Sequence, residues 1–236
     1  SAREAVARAW EVVHQGADLL DVGGESTRPG SDPVSPDEER ARVEPVIREL
    51  VEGGYPIPIS IDTTKADVAR ACLDAGARIL NDVSALRDDP AMLDVAARSG
   101  AAVVLMHRLG TSKTMQVDPV YHDVVGEVST FLTERVRVAI EGGIARERLL
   151  VDPGIGFGKT VEHNLALIGH LDRIAASAGV PVMLGASRKR FLGALLGNAA
   201  SGERLEGSLA AVAAAAWQGA EVVRVHDVWE TARLLR

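Results

Sequence analysis

The sequence has few aromatic residues, one cysteine and no long apolar run. Aromatic residues make up 3% of its 236 residues, so the core must consist mainly of Val, Leu, Ile and Ala. A single cysteine, Cys72, excludes an internal disulfide and is expected to be a small core residue of a helix. No run reaches the roughly 18 apolar residues of a membrane span, and the first residues have no signal-peptide layout. We expect a cytoplasmic protein with no membrane contact.

The sequence has no excess of positive charge, since its formal net charge is −7. This balance argues against broad binding to nucleic acid, which usually needs a basic patch. Hydrophobic residues make up 47% of the chain and charged residues 25%, which is ordinary for a globular protein. No linker rich in Pro, Gly or Ser interrupts the chain, so we predict one domain over residues 1–236.

Seven short apolar runs alternate with longer amphipathic stretches. The runs cover residues 19–22, 57–61, 78–83, 102–106, 149–151, 181–184 and 221–225, and each has the length of a buried parallel strand. The clearest helices are predicted before the first run, from a capping box at Ser35, and over 124–141, 161–178, 205–218 and 228–236. Glycines 16, 54, 76, 100, 143, 179 and 219 are predicted to end the helices that precede the strands.

This alternation predicts an α/β fold with a parallel sheet. Seven strands and eight helical blocks indicate a (β/α)8 barrel whose first strand and first βα-loop are absent from this chain. A doubly wound open sheet is the alternative.

Polar residues follow every predicted strand, which is where barrels collect their reactive groups. They are Asp21 with the segment 25–28, Asp62, Asn81 with Asp82, His107, Asp152, the segment 187–189, and Arg224 with His226. Mixed acids, amides and bases at seven strand ends predict a small-molecule site at this mouth.

Six segments together resemble the dihydropteroate synthase family. They are DVGGESTRPG at 21–30, IDT at 61–63, NDV at 81–83, DPGIGFGK at 152–159, GASRK at 185–189 and RVHDV at 224–228. The resemblance implies a transferase of folate biosynthesis that condenses 6-hydroxymethyl-7,8-dihydropterin pyrophosphate with p-aminobenzoate, giving 7,8-dihydropteroate and pyrophosphate. Pterin-binding methyltransferase domains resemble only the first half of this set, and methyl transfer from methyltetrahydrofolate is an alternative.

The resemblance also implies roles for individual residues. Catalysis falls to Asp62, Asp152 and Lys189. The pterin-binding set is Asp62, Asn81, Met106, Asp152, Phe157, Gly185, Lys189 and Arg224. Arg28, Arg224 and His226 are expected to bind the diphosphate, and Thr27, Arg28, Pro29, Ser187 and Lys189 to bind p-aminobenzoate. Sulfonamides are the expected inhibitors, and a homodimer through late helices is the expected assembly.

The chain departs from the family pattern at its start. The family's first strand carries an Asn that links to Mg2+, and nothing here matches it, so we assign no metal ligand although the family implies Mg2+. A pterin-binding barrel without turnover is therefore the other alternative.

Several of these residues have simpler interpretations. Asp62 can be a helix N-cap, Asn81 a turn residue, and Lys189 a solvated lysine. Arg224 and His226 can be a packed pair, and His107 only a strand-end polar residue. The glycine-rich run 154–160 misses both nucleotide-loop patterns, so we expect its glycines to let the backbone approach a flat ligand.

Overall fold

The computed structural model describes residues 2–27, 30–111 and 113–236. Within these residues the strands are β1 (Leu20–Gly23), β2 (Ile59–Asp62), β3 (Ile79–Asp82), β4 (Ala102–Met106), β5 (Leu149–Asp152), β6 (Met183–Leu184) and β7 (Val222–Val223). Each of them overlaps one of the seven predicted runs. The predicted strands are therefore confirmed.

Helices separate the strands as predicted. They are α1 (Ala2–His14), α2 (Pro36–Glu52), α3 (Ala66–Asp74), α4 (Met92–Ser99), α5 (Val124–Glu141), α6 (Val161–Ile168), α7 (Leu171–Ala178), α8 (Arg190–Leu195), α9 (Leu205–Trp217) and α10 (Val228–Leu235). Ser35 caps α2 as expected, because its side chain accepts a hydrogen bond from the Glu38 N–H. No helix of the described chain is both long and apolar enough to cross a bilayer.

The strands lie side by side in chain order. Strands β1 to β5 form one parallel sheet, β6 and β7 form another, and a bridge between Val151 and Val182 joins the two. A doubly wound sheet would reverse its order at one point, and this order does not. The fold is an α/β barrel arrangement that is not closed, because within the described residues β7 does not pair with β1.

The prediction of one helix over 161–178 was wrong. The chain forms α6 and α7 instead, and the break lies at Gly169 and His170. The backbone of His170 has φ −137° and ψ 33°, outside the helical region, and the hydrogen-bond ladder restarts where the Ile174 N–H bonds the His170 carbonyl. The six-residue helix α8 was not predicted.

All seven glycines predicted to end helices have positive φ. At Gly76 the reason is also steric, since a Cβ there would lie 2.8 Å from Val51 Cγ2. Buried aliphatic residues of the strands and of the helices form one core. Cys72 is fully buried in it, as predicted.

Candidate active site

The carboxyl ends of the first five strands meet at one edge. The strand register places Gly23 beside Asp62, Asp62 beside Asn81, and Met106 beside Asp152. Asp62, Asn81, Met106 and Asp152 are all buried. Their polar groups are therefore presented together at the mouth of the barrel rather than on separate surfaces.

Arg224 spans the open seam and links β1 to β2. Its Nε donates to Asp21 Oδ2 at 2.5 Å, and its Nη2 lies 3.3 Å from Asp62 Oδ2. Asn81 Nδ2 lies 3.3 Å from the same Asp21 oxygen. Burial lowers the pKa of Arg224, but Asp21 and Asp62 outweigh this effect and raise it overall, so Arg224 is a permanent cation at the site.

Asp62 is the least satisfied acid of the group. Its Oδ1 is buried and has no hydrogen-bond partner within the described residues. Burial and the neighbouring charge of Asp21 raise its pKa to about 8, although Arg224 acts in the opposite direction. An unpaired buried polar atom is costly, so a ligand that pairs with Oδ1 would gain binding energy there.

Asp152 is better satisfied and lies close to the other cation. Its Oδ1 accepts the Gly154 N–H at 2.7 Å. Burial raises its pKa, and the charge of Lys189 partly offsets this effect. A Cβ on Gly185 would lie 3.9 Å from Asp152 Oδ2 and 3.8 Å from Arg224 Cβ. Gly185 therefore lies between the acid and the arginine, at ordinary van der Waals distance from both.

Lys189 joins the site from the segment before α8. Its Nζ donates to the Ile155 carbonyl and lies 4.6 Å from the centroid of the Phe157 ring. Burial lowers the pKa of Lys189 to about 8, while Asp152 opposes that shift. Lys189 is thus not the solvated lysine of the simpler interpretation.

A small cavity of about 100 Å³ opens beside these groups. Three of its lining residues belong to the predicted set, namely Thr27, Asp62 and Phe157. The rest of the described wall is Glu25, Ser26, Glu39, Thr63, Thr64, Val83, Asp88, Arg108 and Met115. Arg28 and Pro29, predicted for the diphosphate and for p-aminobenzoate, lie outside the described residues.

Ser187 and His226 form a pair that the sequence did not indicate. Ser187 Oγ lies 3.1 Å from His226 Nδ1 and accepts the His226 N–H at 3.2 Å. Neither residue lines the cavity described above. Arg188 forms an ion pair with Asp227.

Lys159, at the end of the glycine-rich run, has a buried side chain. Its Nζ lies 3.0 Å from His107 Nδ1 and 3.0 Å from the Phe157 carbonyl. Burial lowers the pKa of Lys159 to about 7, and burial together with Lys159 lowers that of His107 to about 3. His107 is therefore neutral and partnered, rather than a bare strand-end residue.

The glycines of this run have a different neighbour from the one expected. Gly154 has φ +69°, and a Cβ there would lie 1.8 Å from the His107 carbonyl oxygen. The close approach is thus between two protein segments, not only between the backbone and a ligand. Asp82 is likewise structural, because its carboxylate accepts the N–H groups of Ser84 and Leu86.

The described side chains also differ from the arrangement that a metal ion needs. Within residues 2–27, 30–111 and 113–236, no group of three or more His, Cys, Asp or Glu side chains is placed to hold an ion. Two acids at the mouth, Asp21 and Asp62, share Arg224 as their partner. The described side chains alone therefore offer no complete ligand set to a divalent metal.

Comparison with known proteins identifies the family of this chain. Residues 1–226 match the model of the pterin binding enzyme family. A dihydropteroate synthase of Neisseria meningitidis serogroup B is 46% identical over 239 residues, which covers 100% of this chain and 83% of the relative.

Two solved structures are similar along almost the whole chain. The dihydropteroate synthase of Xanthomonas albilineans with 4-aminobenzoic acid has a TM-score of 0.93 and 47% identity, and covers 99% of this chain and 82% of that one. The Yersinia pestis enzyme with a sulfonamide drug complex has a TM-score of 0.96 and 40% identity, and covers 100% and 84%. The chain therefore belongs to the pterin binding enzymes and, among them, to the dihydropteroate synthases.

Proposed function

We propose that this chain condenses 6-hydroxymethyl-7,8-dihydropterin pyrophosphate with p-aminobenzoate to give 7,8-dihydropteroate and pyrophosphate, as a transferase of folate biosynthesis. The observation that carries this proposal is the convergence of Asp62, Asn81, Asp152 and Lys189 at one mouth. Family membership supports the same reaction. We further propose that residues 1–236 act as one pterin-binding domain.

Asp152 is proposed to bind the amino-pyrimidine edge of the pterin. That edge has a 2-amino group beside a ring N–H, so it offers two donors side by side. A carboxylate accepts both at once, and such bidentate pairs are strong and directional. Asp152 Oδ1 already accepts one backbone N–H, but a carboxylate has about four acceptor positions, which leaves capacity for the ligand.

The remaining pterin-binding residues are proposed to surround the ring. Asn81 can both donate and accept at ring nitrogens, and the unpartnered Oδ1 of Asp62 suits another ring N–H. Lys189 and Arg224 supply cations near the pterin carbonyl and over the ring face. Met106 and Phe157 complete the proposed set as apolar surface, and Gly185 as a position without a side chain.

Arg224, His226 and Arg28 are proposed to bind the diphosphate. Barrels favour phosphate sites after the seventh and eighth strands, and Arg224 and His226 follow the last strand here. Arg224 is half exposed although it pairs with two acids, so its guanidinium retains donors for an anion. His226 is exposed and hydrogen-bonded to Ser187.

Thr27, Arg28, Pro29, Ser187 and Lys189 are proposed to bind p-aminobenzoate. Thr27 lines the cavity together with Phe157, which supports an aromatic guest at that wall. Sulfonamides, which resemble this substrate in shape, are the proposed inhibitors, and a related enzyme was solved with a sulfonamide drug complex.

The reaction then needs charge stabilisation more than a nucleophile. The bond between the pterin methylene carbon and the diphosphate oxygen breaks, and the diphosphate leaves with the electron pair. Preorganised cations stabilise that departing charge. The carboxylates of Asp62 and Asp152 stabilise the positive charge that develops on the pterin methylene. The neutral amine of p-aminobenzoate attacks this carbon and then loses a proton. We propose no covalent enzyme intermediate.

A divalent metal remains an expectation from the family resemblance alone. The described residues bring no set of ligands together for it, so the steps above use only side chains of this chain. The cytoplasm is the proposed compartment.

A homodimer through late helices is the proposed assembly. Trp217 on α9 is 90% exposed, and Leu195 and Leu196 near α8 are also exposed. A large exposed apolar residue at the end of α9, together with exposed leucines at the end of α8, favours a protein partner, and a second copy of this chain is the proposed one.

One assay tests the function. The chain is titrated with the pterin pyrophosphate, p-aminobenzoate is added, and released pyrophosphate and dihydropteroate are measured. Equal amounts of both products are expected. Pterin binding without pyrophosphate release would make the chain a binding barrel, and demethylation of methyltetrahydrofolate in its place would make it a methyltransferase domain.

A further inference from the structure

The segment of residues 24–27 lies tightly against helix α2. A Cβ on Gly24 would be 2.9 Å from Glu39 Cγ and 2.9 Å from Val43 Cγ1, so no larger residue fits there. Arg42 Nη1 donates to the Gly24 carbonyl at 2.8 Å. The start of this segment is therefore fixed on α2 by packing and by a hydrogen bond.

Its next residue, Glu25, is held by a buried ion cluster. Lys65, which precedes α3, donates to the carboxylates of both Glu25 and Glu39. The side chain of Glu39 is 1% exposed, that of Lys65 20% and that of Glu25 23%. Burial lowers the pKa of Lys65, but the hydrogen bonds and charges of the two glutamates outweigh it and raise the pKa overall. Three segments distant in the chain thus meet at one ammonium group.

The cluster belongs to the wall of the candidate active site. Glu25 and Glu39 line the cavity beside Thr27 and Asp62. A buried ion pair contributes little net stability compared with apolar residues of similar volume, so stability alone explains the cluster poorly. What it does provide is a fixed place for Glu25, two residues before Thr27.

We propose that Lys65, Glu25 and Glu39 are positioning residues that hold the segment 24–27, and with it Thr27, in the place where p-aminobenzoate binds. This inference rests on the proposed function for its substrate. We expect the cluster to act more on the second substrate than on the pterin, because the hydrogen bonds of Asp62 and Asp152 in the described structure are made with Arg224 and Gly154 and not with the cluster.

Two variants release the segment in different ways. Lys65→Met removes the shared ammonium group and leaves Glu39 unpaired. Glu25→Gln removes only the partly exposed acid and leaves the pair between Lys65 and Glu39 intact, so it folds even if the first variant does not. Lys65→Arg keeps the charge, and Glu44→Gln is the matched control because Glu44 forms ion pairs with Arg40 and Arg48 on the same helix outside the cavity.

The first measurement needs no activity. Hydrogen exchange of the amides of residues 24–27 is followed in the whole chain. We expect exchange at least about tenfold faster in Lys65→Met and Glu25→Gln, and unchanged exchange in Glu44→Gln, because local opening of the segment is what exchange reports. Unchanged exchange at these amides in both Lys65→Met and Glu25→Gln would overturn the proposal.

The second measurement separates the two substrates. We expect the KM for p-aminobenzoate to rise about tenfold in Lys65→Met and Glu25→Gln while the Kd for the pterin stays within about twofold, with partial recovery in Lys65→Arg. An equal loss of affinity for both substrates, or no change in the KM for p-aminobenzoate, would contradict the positioning role. If the parent chain forms no product, the proposed function fails, and the exchange measurement still tests the cluster.

Discussion

Asp62 and Asp152 both end buried strands, but their surroundings differ. Asp152 accepts a backbone N–H and lies near Lys189, whereas Asp62 has one oxygen without a partner in the described structure. Two acids of the same type thus have different capacity for a ligand. Environment, rather than residue type, decides which acid changes its charge near neutral pH.

The rate should therefore depend on the ionisation of Asp62. Its pKa of about 8 in the free protein means that it is mostly protonated at pH 6 and becomes a carboxylate as the pH rises. Because the carboxylate stabilises positive charge in the transition state, kcat/KM should rise between about pH 6 and 8, by up to about tenfold per pH unit. It should fall above this range as Lys189, with a pKa of about 8, loses its proton.

Asp62→Asn is the variant that tests this assignment. It should remove the rise between about pH 6 and 8 and leave a lower, flatter profile. If the same rise persists in Asp62→Asn, another group causes it, and Lys159 with a pKa of about 7 is the first candidate.

Asp152 and Lys189 should matter for binding as well as for turnover. Asp152→Asn or Lys189→Ala should weaken pterin binding by about 1.5–3 kcal/mol, which is typical of a hydrogen bond to a charged group. Calorimetric titration with a pterin measures this change. Asp94→Asn is the control, because Asp94 forms an exposed ion pair with Arg98 on α4. Parental affinity in either site variant would remove that residue from the pterin site.

At the scale of elements, the connection after β5 is packed against the end of β4. A Cβ at Gly154 would lie 1.8 Å from the His107 carbonyl oxygen, and Lys159 from the same connection lies beside the His107 ring. The connection is therefore shaped by the neighbouring strand end, and its geometry in turn places Phe157 at the cavity.

Gly154→Ala should lower the free energy of unfolding much more than the same substitution at another glycine with a similar φ. Gly197 is the matched control, since its φ is +68° against +69° at Gly154, and a Cβ added to Gly197 would meet no atom within 4 Å. Gly197→Ala should cost about 1–2 kcal/mol of unfolding free energy, from left-handed strain alone. Gly154→Ala should cost about 1–3 kcal/mol more, from overpacking. Urea unfolding measures both, and equal losses would contradict the steric argument.

The sequence predicted the elements better than their contacts. Apolar runs and glycine ends located the strands because both are local signals, and α5 has the predicted bounds, Val124–Glu141. The division between α6 and α7 escaped prediction because the periodicity continues across Gly169. The ion pair between Lys65 and Glu39 was not predicted because the two residues lie 26 positions apart in the chain. An acid in a first helical turn normally indicates only a favourable helix start.

At the scale of the molecule, the strand order and the site belong together. Parallel strands in sequential order bring all carboxyl ends to one side, and Arg224 connects the last strand region to Asp21 on β1 across the open seam. The sequential order of the strands was predictable from the alternation of apolar runs and amphipathic stretches. The partners of Arg224 were not, since they depend on how the ends of the barrel approach each other.

Assembly is tested at this scale through Trp217. Trp217→Asp places a charge on the exposed apolar end of α9 and should convert the proposed dimer into a monomer, because a charge is costly inside an apolar interface. Light scattering gives the mass. Val120→Asp is the control, since Val120 is 64% exposed on a different surface, before α5. A monomeric parent chain, or a dimer that survives Trp217→Asp, would contradict this assembly.

The most direct test of the central claim is a crystal structure of the chain with a pterin bound. We predict that one pterin contacts Asp62, Asn81, Asp152 and Lys189 simultaneously, with Asp152 on its amino-pyrimidine edge. A pterin bound elsewhere, or one that contacts only one of these four side chains, would contradict the claim that the strand ends form a single binding site.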